Sequence, residues 1–139
     1  MLSKKTKYAI HALTYLAKKD PSQPTLIVEV SSEANVPRKF LETILLELKK
    51  NGVLSSKMGK GGGYFLRKKP SEIQLSTIIR LFNGPIALLP CASKNYYEIC
   101  DECPDETTCG LRIVMEEVRD ETLNILENKT IQDIVDKDK

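Results

Sequence analysis

Four cysteines, Cys91, Cys100, Cys103 and Cys109, fall within 19 consecutive residues with the spacing C-x8-C-x2-C-x5-C, and the rest of the 139-residue chain has none. In a small secreted protein they would suggest two disulfides. In a reducing compartment, clustered thiolates are ligands for a metal or groups for redox chemistry. Cys100 and Cys103 form a common zinc half-site, and four thiolates satisfy a tetrahedral zinc, but intervals of eight and five residues are not those of paired knuckles. Cys103-Pro104 resembles the end of a bacterial ferredoxin run without its preceding cysteines, and a Cys100–Cys103 redox disulfide lacks the βαβ context of thioredoxins. Five carboxylates, Glu98, Asp101, Glu102, Asp105 and Glu106, share this loop. Their field opposes added electrons, so a cluster held there is expected to have a comparatively low reduction potential. Nucleophilic catalysis is not indicated: the one histidine, His11, lies far upstream of Cys91 with no triad context and reads as a structural or exposed residue.

A second chemistry is written in charge. The formal net charge is only +2, yet residues 1–70 carry 14 basic and 5 acidic side chains, net +9, and residues 71–139 carry 7 and 14, net −7. The basic part suits a phosphate backbone, because each neutralised phosphate releases counterions; the acidic part would be repelled by the same polyanion. No stretch reaches the roughly 18 apolar residues of a membrane span, and the start Met1-Leu2-Ser3-Lys4-Lys5 lacks a following apolar signal region. A cytoplasmic location without a membrane partner is expected.

The elements that must position these groups follow from apolar spacing. Ala9, Ala12, Leu13 and Leu16 mark an amphipathic helix over Lys5 to Lys19, closed by Asp20-Pro21. A short helix over Ile27 to Glu33, the turn Ala34-Asn35-Val36 and a third helix from near Pro37 to Asn51-Gly52 form a helix-turn-helix. Val53–Ser56 and Tyr64–Leu66 read as strands of a hairpin whose tip holds Lys57, Met58, Lys60 and four glycines. The tip is no phosphate-binding P-loop, since no Gly-Lys-Ser/Thr closes it and a strand follows. Leu75, Ile78, Ile79 and Phe82 predict a fourth helix, stopped at Asn83-Gly84-Pro85. Residues 86–110 show no periodicity and read as a loop ordered by a ligand. A long helix then runs from Leu111 to about Glu127, with Leu111, Val114, Met115, Val118, Thr122 and Ile125 on a face that needs a partner, and Thr130 caps a last short helix.

Phe40-Leu41-Glu42, Leu48-Lys49-Lys50-Asn51-Gly52-Val53-Leu54-Ser55-Ser56 and Gly59-Lys60-Gly61-Gly62-Gly63-Tyr64, followed by cysteines and an amphipathic helix, resemble the Rrf-type winged-helix bacterial transcription regulators. That family includes an iron-sulfur assembly regulator, a nitric-oxide-sensing regulator and a cysteine-metabolism regulator. The resemblance covers nearly the whole chain. It implies a homodimer crossed at the long helices, with a recognition helix in the major groove of double-stranded DNA and a wing at the minor groove. On the recognition helix, Arg38, Lys39, Glu42 and Thr43 offer cationic donors, a carboxylate for cytosine amino groups and a hydroxyl. On the wing, Lys57, Lys60, Gly61 and Gly62 are the expected contacts, because Met58 stands where the assembly regulator carries arginine. The resemblance also implies three cysteine ligands to an iron-sulfur cluster. Cys91 holds the first-ligand position, the Cys103–Cys109 interval matches the last, and Cys100 is additional: a fourth ligand, a replacement for Cys103, or a free thiol. Arg112 replaces the histidine that follows the last cysteine, so the remaining ligand falls to Cys100, to a carboxylate such as Glu98, or to a residue of the first helix of the partner subunit.

The expectation is thus a mainly α fold with a small β hairpin: a winged helix-turn-helix over residues 1–84, a cysteine-containing sensor loop over 85–110, and a dimerisation helix with a short C-terminal helix over 111–139. Its function is that of a repressor sensing iron-sulfur, redox or nitric-oxide status. The cofactor is an iron-sulfur cluster, two-iron two-sulfur before four-iron four-sulfur, with zinc as the alternative. The rivals are a regulator of the same fold without a cluster, using zinc, thiol oxidation or a partner protein, and an electron-transfer or cluster-carrier protein.

Overall fold

The computed structural model describes residues 2–102 and 105–138. Helix α1 (Lys4–Ala17) starts where the Ser3 hydroxyl accepts the Thr6 N–H at 3.1 Å, satisfying one of the free donors of the first turn. It buries Ala9, Ala12, Leu13 and Leu16, the stripe marked by its spacing. Helix α2 (Ile27–Glu33) and helix α3 (Arg38–Lys50) are joined by a turn in which Asn35 takes φ 55°, a left-handed conformation that asparagine tolerates. The Ser31 hydroxyl donates to the Val36 carbonyl at 2.6 Å and fixes this turn. Pro37 stands just outside α3 as its cap, and Leu41, Ile44, Leu45 and Leu48 face the core.

Strands β1 (Leu54–Lys57) and β2 (Gly63–Leu66) pair antiparallel, with Leu54 opposite Leu66 and Lys57 opposite Gly63. The ladder reaches further toward the tip than the apolar pattern indicates, because backbone pairing does not need an apolar side chain. Lys57 therefore closes the ladder, and the tip proper is Met58–Gly62. Thr25, just ahead of α2, exchanges two 2.8 Å backbone hydrogen bonds with Tyr64. Gly63 permits this contact: at φ 140° a Cβ there would lie 2.3 Å from the Thr25 carbonyl oxygen.

Helix α4 (Leu75–Asn83) ends at Gly84, whose φ of 85° no helix continues. The following loop contains two short 3-10 turns, Pro90–Ala92 and Glu106–Thr108, before helix α5 (Gly110–Asn128). Helix α6 (Ile131–Lys137) begins with a capping box in which Thr130 N–H donates to the Asp133 carboxylate at 2.8 Å. It returns to the first half of the chain. Ile131 is fully buried in the same core as Leu13, Ile44 and Ile78, its N–H donates to the Ile73 carbonyl at 3.0 Å, and Lys18 pairs with Asp138 at 2.5 Å. Full burial of such a side chain contributes about 1.5–3 kcal/mol. Among the described residues no helix is long and apolar enough to cross a membrane.

Candidate functional site

Helix α3 presents Arg38, Lys39, Glu42 and Thr43 to solvent, opposite its buried leucines and isoleucine. Arg38 and Glu42, one turn apart, pair at 3.4 Å with both side chains exposed. An exposed pair of this kind is worth little to the fold and separates cheaply when another polar group competes for either partner. Leu46 continues the exposed face one turn further on. Its i+4 spacing from Glu42 could have identified it from the sequence. Phe40 is partly covered by the Tyr8 ring, with centroids 5.7 Å apart, which seats the start of α3 on α1.

The wing carries Lys57, Met58 and Lys60 exposed around its tip. Gly59 and Gly61 adopt positive φ, and the Gly62 N–H donates to the Gly59 carbonyl at 3.0 Å. A Cβ on Gly62 would come within 2.3 Å of the Lys57 carbonyl oxygen, so the tip is a close-packed turn that excludes side chains at this point.

The loop between α4 and α5 folds around a cavity of about 220 Å³ lined by Cys91, Glu98, Cys100, Glu106, Cys109 and Arg112, with apolar walls from Leu89 and Leu111. Cys91 is 7% exposed, in the turn Pro90–Ala92. Cys100 is exposed, and Cys109 is half-buried at the start of α5. The Pro90 carbonyl accepts from both Ser93 N–H and Glu98 N–H at 3.2 Å, which folds the Cys100 strand of the loop back beside Cys91. Cys103 lies outside the described residues. Three thiols thus share one cavity, and soft sulfur donors are the ligand type that iron-sulfur clusters and zinc both take. As placed, no group of three or more Cys, His, Asp or Glu among the described residues is close enough to hold a metal ion. The donors fit in kind, and ligation would require the loop to contract around its ligand. His11 is exposed on α1 and does not line the cavity.

Of the acidic side chains, Glu98 and Glu106 face the cavity, and Glu106 accepts a hydrogen bond from the Tyr97 hydroxyl. That bond to a carboxylate raises the Tyr97 pKa above its ordinary value. Asp105 instead accepts from the Thr107 hydroxyl and N–H, which lowers its pKa and holds it charged at the second 3-10 turn.

Two arginines of α5 grip the Cys91 turn. Arg112 Nε donates to the Cys91 carbonyl at 3.2 Å, and Arg119 Nη1 donates to the Ala92 carbonyl at 2.7 Å. The two lie seven residues apart, two helical turns, and so on one face. Arg112 is braced by Glu116 at 3.2 Å, and Arg119 by Asp120 at 2.9 Å. Arg119 is only 13% exposed, although a helical pattern assigns it to the polar face. Its role depends on a carbonyl 27 positions earlier, which no local pattern reports. The same face buries Leu123. The other face of α5 leaves Leu111, Val114, Val118 and Ile125 uncovered, Leu111 at 59% and Ile125 at 57% exposure.

Over residues 2–137 the chain matches the Rrf2 family, described as an iron-dependent transcriptional regulator. It is 41% identical over 138 residues to an rrf2-like HTH-type transcriptional regulator of Rhodobacter capsulatus, covering 97% of this chain and 92% of the relative. It is 27% identical over 135 residues to the HTH-type transcriptional regulator NsrR of Geobacillus kaustophilus, covering 97% and 89%. Among solved structures it is similar to CymR, the global cysteine regulator of B. subtilis, with a TM-score of 0.78 and 26% identity, covering all of this chain and 98% of that one.

Proposed function

The chain belongs to the Rrf2 family of transcriptional regulators, and from that premise we propose that it is a homodimeric repressor whose cysteine pocket carries an iron-sulfur cluster reporting iron-sulfur, redox or nitric-oxide status to DNA. As a DNA-binding regulator it is not an enzyme, and no electron-carrier role is needed to account for its basic half. The observation that carries the sensing proposal is the joint wall of the cavity. Cys91, Cys100 and Cys109 line it together, and Arg112 and Arg119 fasten the Cys91 turn to the helix whose opposite face is bare and apolar. That bare face supports dimerisation against a second copy, since an apolar stripe of this length exposed to water is unfavourable.

In this reading the pocket cysteines, with Cys103 as a further candidate, hold the cluster. The cluster supplies redox and ligand-exchange chemistry when bound. Arg112 and Arg119 tie the Cys91 and Ala92 carbonyls to α5, so a rearrangement of the loop would be felt along the helix whose bare face supports dimerisation. That rearrangement would bias how far apart the two α3 helices sit, with Arg38, Lys39, Glu42 and Thr43 assigned to the bases and Lys57, Lys60, Gly61 and Gly62 to the wing contacts. The separate placement of the thiols favours one rival, a regulator of the same fold that works by thiol oxidation without a metal. Anaerobic purification with iron, sulfide and zinc analysis decides between them. Brown protein with visible absorbance and equimolar iron and sulfide is expected, and operator selection on holo and apo protein should differ. Colourless protein with stoichiometric zinc, or with no metal, overturns the cluster.

A further inference from the structure

Resting on the DNA-binding reading, we infer that Met58 is an apolar wedge at the wing tip, which makes the protein select a deformable pyrimidine–purine step in the minor groove beneath the wing. Met58 is 91% exposed, more than any other large apolar side chain described; the next, Leu88 and Ile99 in the loop between α4 and α5, are 70% and 67% exposed. It stands between two cations, Lys57 and Lys60, on a turn that Gly59 and Gly61 allow by adopting positive φ. A Cβ at Gly62 would lie 2.3 Å from the Lys57 carbonyl oxygen, so the backbone closes tightly across the base of the tip that carries Met58. The bridge from Thr25 to Tyr64 braces the strands beneath it.

The chemistry follows from what the tip lacks as well as what it has. A cation in the minor groove rewards narrow, stiff A-tracts with enhanced negative potential. An unbranched thioether offers no such attraction. It gains by leaving water, against the sugar walls or between unstacked base pairs, and apolar wedges of this kind kink the duplex at steps that unstack easily. TA and CA/TG are those steps. The lysines on either side would hold phosphates while Met58 enters, so charge anchors the wing and the thioether sets the step.

The test uses the full-length dimer on duplexes selected from a random library by the wild-type protein. A TA or CA/TG step is expected beneath each wing. Met58→Ala should lose about tenfold in affinity on that operator, with a smaller bend by end-to-end fluorescence transfer and an unchanged salt dependence, because no cation is removed. On an operator with an A-tract substituted at that step, the same variant should match the wild type. Met58→Arg should reverse the preference toward the A-tract and steepen the salt dependence by about one unit. The side chain is exposed, so both variants should keep the wild-type melting temperature. If Met58→Ala equals the wild type in affinity and bend, or weakens both operators equally, the wedge is overturned while the regulator stands. If the wild type selects no duplex at all, both fall.

Discussion

Under the proposed function, Glu42 is the side chain assigned most directly to base discrimination. It is exposed and pairs with Arg38, so replacing it removes a negative group from the proposed DNA face without disturbing the core. Glu42→Ala should therefore relax sequence preference at one operator position by about 1–3 kcal/mol, with no loss of thermal stability. Binding to competitor DNA of random sequence should rise, because a carboxylate that repels phosphates is gone; competition titrations on single-base operator variants measure both effects. Asp133 poses a different problem, one of pH. Its carboxylate accepts the Thr130 N–H at the start of α6, and this lowers its pKa below the ordinary value. A group lowered on folding contributes stability above the ordinary carboxylate pKa near ~4, and the contribution is lost as pH falls below that range. Asp133→Asn should flatten the acid side of the stability profile below about pH 4, with little change in slope near neutrality, as urea titrations at stepped pH would record.

Among the elements, α5 is the one whose two faces do different work. Arg112, Arg119 and Leu123 join it to its own chain, while Val114, Val118 and Ile125 are left for another. A carboxylate at the centre of the second face would be desolvated in a dimer and harmless in a monomer. Val118→Glu should thus raise the dimer dissociation constant by at least about 100-fold while the circular dichroism of the monomer is kept, as sedimentation equilibrium would read. Periodicity made much of this helix legible in advance: Leu111, Val114, Val118 and Ile125 recur at helical spacing and had to face something. It did not distinguish a second copy from the chain's own core, because both demand the same residues. The α1 stripe and the α3 leucines were legible for the same reason and did turn inward. Three other features were not legible: the Arg119 bond to Ala92, the burial of Ile131 against Leu13, and the Thr25 bridge to Tyr64. Each is a contact between residues distant in the chain, and nothing in a local pattern states which distant backbone group will be near. The four cysteines were evident by type and spacing, and the meeting of Cys91, Cys100 and Cys109 at one cavity depends on the Pro90 carbonyl gathering the loop.

Across the whole molecule, the division of charge follows the division of work only in part. The basic side chains of the first half include those of α3 and the wing, whereas the acidic second half includes α6, which packs against α1 and is followed by Asp138, paired with Lys18. What remains distinctively acidic is the cysteine loop. Glu98 and Glu106 at the cavity wall place negative charge where a cluster would accept an electron. Glu98→Gln combined with Glu106→Gln should therefore raise the midpoint potential of the loaded protein, by tens of millivolts if each carboxylate contributes about 1 kcal/mol, measured by optical redox titration. An unchanged potential would mean that both side chains turn to solvent once the loop closes. The paired backbone bonds between Thr25 and Tyr64 have a consequence for how the dimer measures DNA. They join the wing to the segment leading into α2, so wing and recognition helix form one stiff reading head that cannot stretch to follow a displaced half-site. Tolerance must then come from the junction of two such heads, and the operator acts as a ruler of fixed length. Inserting a single base pair between half-sites, a displacement of about 3.4 Å with a turn of the helix, should cost most of the specific affinity. A mobility-shift series over spacer lengths would show one narrow optimum, where a flexible wing would give a broad one.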